Sequence, residues 1–122
     1  LTVKLYPRLL LTLIDKSLLI LAAEKGSLPL VKKLVNFKAD WRLKDRFGKT
    51  ALLYAIDSNY ENTELVRTLL DYGAEVNQEG PDRVTPLLKA VERGHANIVK
   101  LLLQRGANVH SYIESTGTVI RK

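Results

Sequence analysis

The stretch RVTPLLKAVERGHANIVKLLLQRGANVH, residues 83–110, has the pattern of two short helices joined by a turn. Thr85 is a favourable N-cap, and Pro86 suits the first helical position, where its missing N–H costs nothing. Leu87, Leu88, Ala90 and Val91 then form an apolar face, and Gly94 ends the run. Ile98, Val99, Leu101, Leu102 and Leu103 repeat at helical spacing until Gly106 supplies a left-handed stop. Two helices this short leave their apolar stripes uncovered, so the unit must stack on copies of itself.

Two copies precede it. Lys49-Thr50-Ala51-Leu52-Leu53-Tyr54-Ala55 aligns with Val84-Thr85-Pro86-Leu87-Leu88-Lys89-Ala90 at an offset of 35. Leu65 to Ala74 aligns with Ile98 to Ala107 at an offset of 33, which puts a two-residue insertion between the helices of the middle unit, within Asn59 to Glu64. The first copy is less regular: Lys16 to Gly26 and Leu30 to Asp40, with Ser17 where Thr50 and Thr85 stand. Lys38 stands where Gly73 and Gly106 do, and a non-glycine residue held left-handed there costs about 1 kcal/mol.

The period, the Thr-Pro-Leu helix start, Gly-His between helices and Gly-Ala near the end together resemble the ankyrin repeat. Asp45, Gly48, Thr50, Ala51, Leu52 and Ala55 carry the resemblance in the middle unit. In the last unit it rests on Thr85, Pro86, Leu87, Ala90, Gly94, His95, Val99, Leu101, Leu102, Gly106 and Ala107. It implies an all-α ankyrin-repeat solenoid of stacked helix-turn-helix units with connecting β-hairpin loops. The expected boundaries are a cap over 1–15, repeats over 16–43, 44–78 and 79–111, and a truncated repeat or cap over 112–122. Family repeats usually carry His after Thr-Pro-Leu, where this chain has Ile20, Leu53 and Leu88, so leucine packing is expected to replace Thr–His hydrogen bonds.

Composition excludes several function classes. The chain has no cysteine, hence no disulfide or thiolate metal site, and only two histidines. That suits an intracellular setting. No apolar run approaches the roughly 20 residues of a membrane span. The net charge of +6 is dispersed: seven Lys/Arg against three Asp/Glu in residues 1–41, five against six in 42–76, and seven against four in 77–122. Dispersed charge without interleaved aromatics argues against nucleic-acid binding. The absence of methionine and the unit cut short after His110 lead to the expectation of a piece from a longer protein.

No catalytic constellation emerges, and no cofactor or metal is expected. Gly48-Lys49-Thr50 looks like the end of a phosphate-binding loop, but Leu43 occupies the position that would need glycine. His95 is expected to be structural. Asp57 and Glu92 are equivalent surface positions rather than paired acids.

By resemblance, a partner protein or peptide binds a concave face of hairpin tips and first helices. The matching tip positions are Lys44, Arg46, Phe47 and Lys49, then Glu79, Pro81, Asp82 and Val84; on the first helices they include Asp57, Ser58, Glu92 and Arg93. Phe47 beside Arg46 has the composition of a binding hot spot, or else folds back on its hairpin. Tyr54 is expected in the core first, extending the surface if exposed. Trp41 is expected to be buried, and the insertion carrying Tyr60 to be length drift or a second contact point. The expected function is a monomeric protein-interaction module for a partner that is acidic with an apolar anchor. The alternatives are a substrate-recruiting segment of a larger enzyme or secreted effector, and a spacer within a longer solenoid.

Overall fold

Short helices need their first N–H groups capped, and three here begin at a hydroxyl. In the structure, a computed structural model describing residues 18–110, Ser27 Oγ accepts from the Leu30 N–H, Thr50 Oγ1 from Leu53 at 3.3 Å and Thr85 Oγ1 from Leu88 at 3.1 Å. The elements are α1 (helical residues 18–25), α2 (Leu28–Asn36), α3 (Ala51–Ile56), α4 (Thr63–Tyr72), a 3-10 turn at Pro81–Arg83, α5 (Pro86–Arg93) and α6 (Ala96–Gln104). The expected cap over 1–15, the Ser17 helix start and the unit over 112–122 lie outside the described residues.

Packing follows the repeat. α3 pairs with α4 and α5 with α6 inside units, while α2 packs on α4, α4 on α6 and α3 on α5 between them. The result is two rows of helices with one continuous core. Ala22, Ala55 and Ala90, equivalent in the three units, are fully buried, so small side chains let the first helices approach. Ile20, Leu53 and Leu88 are buried as well, which is the leucine packing expected in place of histidine. Among the described residues there are helices and no strand; the hairpin loops are closed by backbone bonds, Asp45 N–H to the Lys49 carbonyl with Gly48 N–H to the Asp45 carbonyl, and Gly80 N–H to the Val84 carbonyl with Val84 N–H to the Pro81 carbonyl.

The insertion alters the middle unit more than its two residues suggest. Its first helix stops at Ile56, whereas α5 runs to Arg93, so the expected first-helix residues Asp57 and Ser58 lie just beyond the helix end. Asp57 is its C-cap residue. Trp41 is half-buried rather than buried: its indole packs on the core and over Gly73, where an added Cβ would stand 3.2 Å from Trp41 Nε1.

Lys38 is left-handed as expected, with φ 68°. Asp82 and Arg83 are also left-handed, at φ 58° and 61°. Arg83 stands where Gly48 does at the offset of 35, so a conformation suited to glycine falls on an arginine. Lys38→Gly and Arg83→Gly are each expected to raise folding stability by up to about 1 kcal/mol in urea denaturation. A loss of stability in both would contradict these backbone conformations.

Candidate functional site

The tip of the middle unit is organised by one carboxylate. Asp45 Oδ1 accepts from the N–H groups of Phe47 at 2.9 Å and Lys49 at 3.0 Å, and Oδ2 accepts from the Tyr54 hydroxyl. This fixes the loop from both ends and leaves Phe47 outside it, 62% exposed, with the Arg46 guanidinium 5.5 Å from its ring centre. Phe47 therefore does not fold back. Asp45 matched the family pattern in the sequence without being assigned this positioning role; its signal was an Asp-x-x-Gly turn.

Behind the tip lies a connected polar network. The Lys49 ammonium is 3.0 Å from Asp57 and 4.4 Å from the Tyr54 ring centre. Arg93 grips the same carboxylate from the next unit at 2.7 Å and donates to Asn59 Oδ1 at 3.0 Å. Burial pushes the Asp57 carboxyl up, but hydrogen bonds from Lys49 and Arg93 and the charge of Lys89 outweigh it and hold its pKa below the ordinary carboxylate value. Asp45 behaves likewise: burial raises it, and the Tyr54 hydroxyl with the Lys49 and Phe47 N–H groups brings it below the ordinary value. The hydrogen bond to Asp45, then burial and nearby carboxylates, push the Tyr54 phenol up to about 12.

Of the ten residues expected to bind a partner, Lys44, Arg46, Phe47, Asp82, Glu92 and Arg93 are exposed; Glu92 is within 3.2 Å of Lys89. Lys49, Tyr54, Asp57 and Ser58 are half-buried, and Arg93 joins them through Asp57. The tip thus presents side chains outward while the network behind it joins the second and third units.

The insertion strengthens that junction. The Ser58 carbonyl lies 2.7 Å from Nε2 of the buried His95. Glu61 accepts from the N–H groups of Asn97 and Ile98 and from the Asn97 amide, so a carboxylate of the middle unit caps α6, whose own N-cap residue His95 makes no side-chain cap bond. Length drift does not describe this loop, which holds the third unit in place. Tyr60, at its outer edge, is 77% exposed. Further links are Arg105 to Asp71 at 2.7 Å and Asn77 to the Asn108 N–H at 2.8 Å.

Among the described residues no group of three or more His, Cys, Asp or Glu side chains is placed to hold a metal ion. Nor is any helix among them long and apolar enough to cross a membrane.

A family model described as ankyrin repeats in three copies matches residues 19–113. Over 98 residues, 80% of this chain, it is 34% identical to a potassium channel of Arabidopsis thaliana, spanning 11% of that protein. It is 40% identical over 72 residues, 57% of this chain, to the 2-5A-dependent ribonuclease of Mus musculus, spanning 10% of it. A third relative is a human ankyrin repeat and KH domain-containing protein, 37% identical over 93 residues, 75% of this chain and 4% of the relative.

Glu61→Ala should lower stability by about 1 kcal/mol, the usual cost of losing a helix cap, read by urea denaturation; an unchanged midpoint would remove Glu61 from the junction. The raised Tyr54 pKa stabilises the folded state fully below the ordinary phenol value, and that contribution is lost as pH rises through about 12. In ultraviolet titration, the phenolate signal missing from Tyr54→Phe should have its midpoint near 12. A midpoint at the ordinary phenol value would break the Tyr54–Asp45 link.

Proposed function

The chain belongs to the ankyrin-repeat family, and on that premise we propose that it binds a partner protein or peptide on a concave face of tips and first helices, centred on Arg46 and Phe47. Ankyrin repeats are protein–protein interaction modules. The carrying observation is the Phe47 ring, exposed on a loop whose backbone Asp45 has already fixed. An ordered aromatic spends little entropy on binding, and an aromatic next to arginine is the composition that dominates interface energies.

The chemistry around it favours an acidic peptide with an apolar anchor. Lys44, Arg46 and Lys49 flank Phe47 in the sequence and the Arg46 guanidinium stands 5.5 Å from its ring centre, while Asp45 is engaged by its own loop. The module works as a monomer in this reading, through a preformed surface and without catalysis by its own residues. An intracellular setting is part of the same reading, consistent with the lack of cysteine.

A second reading, the recruiting segment of a larger protein, is favoured by the relatives: the chain spans only 4% to 11% of the three named. One of them is a ribonuclease; in this second reading the present segment would hold a substrate or partner for chemistry performed elsewhere.

Peptides selected on this chain from a random displayed library should be enriched in acidic residues flanking an apolar one. The Arg46→Ala, Phe47→Ala double variant should bind them at least about tenfold more weakly, with its circular dichroism spectrum unchanged. Equal affinity for the double variant would remove this surface from the proposal.

A further inference from the structure

We infer that the groove between the Pro81–Arg83 tip and helices α3 and α5 seats one aliphatic side chain of an acidic partner peptide, with a neighbouring carboxylate directed at Lys49 and Lys89. This rests on reading the tips-and-first-helices face as the binding surface and adds a second anchoring point to it. The groove has a volume of about 180 Å³ and is lined by Lys49, Leu53, Pro81, Asp82, Val84 and Lys89. That is below the ~300–1,000 Å³ of sites for whole small molecules and fits a single side chain.

The lining sets the chemistry of the occupant. Leu53 is buried and Val84 half-buried, and with Pro81 they give the groove its carbon surface. The tip reaches Leu53 because residue 80 is glycine: a Cβ there would fall 2.4 Å from Leu53 Cδ1. Lys49 and Lys89 add their aliphatic stems and keep their ammonium groups on the helix side, beside Asp57 and Glu92.

Charge gives the occupant a direction. On the helix side the groove is lined by two cations, Lys49 and Lys89, while their partners Asp57 and Glu92, and Asp45 near Lys49, lie outside the lining. Asp82 lines the tip side. An anionic group beside a seated aliphatic chain is therefore drawn to the two lysines and repelled by Asp82, while Arg83 of the lip stands outside the lining, 3.8 Å from Glu79. The Lys89–Glu92 pair is a partly exposed contact within one helix, weak enough for Lys89 to turn toward a second carboxylate. The lip itself is built on the left-handed Asp82 and Arg83, local strain of the kind that gathers at ligand clamps.

The test uses 4-methylpentanoate, which joins a branched aliphatic end to one carboxylate, followed by amide NMR of the whole chain. The amides of Lys49, Val84 and Lys89 should shift, with an affinity at least about tenfold above that of acetate or 4-methylpentylammonium. Val84→Trp, which fills the groove from its rim, should abolish these shifts; Lys89→Gln should weaken binding about fivefold and Asp82→Asn should not weaken it. Equal affinity for acetate would overturn the inference, as would undiminished binding by Lys89→Gln, a variant whose core is untouched. Arg46 and Phe47 do not line the groove. Retention of 4-methylpentanoate by their double variant supports this seat independently of the displayed-peptide result, and loss of the shifts in that variant counts against it.

Discussion

Neither helix of any unit can bury its apolar stripe without a neighbour, and the contact between adjacent units is what the rest of the structure depends on. Its apolar part is read from equivalent positions. Ile56 of the middle unit is fully buried, while Val91, its counterpart in the third, is 40% exposed among the described residues. The side chains are alike, and the helix that carries Ile56 has α5 packed on it. Burial of the first kind is worth roughly 1.5–3 kcal/mol per large aliphatic residue, far more than any single ion pair between the units.

The polar part of that contact is concentrated between the second and third units. Asp57, Ser58, Asn59 and Glu61 all reach across it, and all belong to the loop lengthened by the insertion. A two-residue addition shortened α3, released Asp57 and Ser58 from the helix, and placed Glu61 at the start of α6. The same junction carries both proposed anchoring points: Asp57 holds Lys49 at one side of the tip, and the groove opens between α3 and α5. Rigidity at the junction is thus what would let the surface bind without first being ordered.

The sequence made much of this visible because repeats can be compared position by position. That comparison located the caps Thr50 and Thr85, the insertion, the leucines at the histidine position and the left-handed Lys38. Carried to the tip it also reaches Arg83 opposite Gly48, a residue left-handed for the same reason as Lys38. What comparison could not supply was contact across units. Glu61 caps a helix 36 residues away, along a path that only the folded insertion defines. Asp57 and Ser58 were misplaced because helical register was carried through a loop that had broken it. Trp41 departs from the expected burial because size does not determine position: its ring lies along Gly73 at the edge of the core.

The tip shows the same division. Its composition marked Phe47 and Arg46, but whether the ring pointed inward or outward depended on Asp45 engaging two backbone N–H groups and Tyr54 at once. The middle and third units form one body, joined by burial and by the Glu61 cap. Native-state hydrogen exchange tests it most directly at the Asn97 and Ile98 amides, which donate to Glu61. Opening free energies for these amides are expected within about 1 kcal/mol of that of the core residue Leu69. Exchange at Asn97 and Ile98 as fast as in an unprotected loop, with Leu69 still protected, would contradict it.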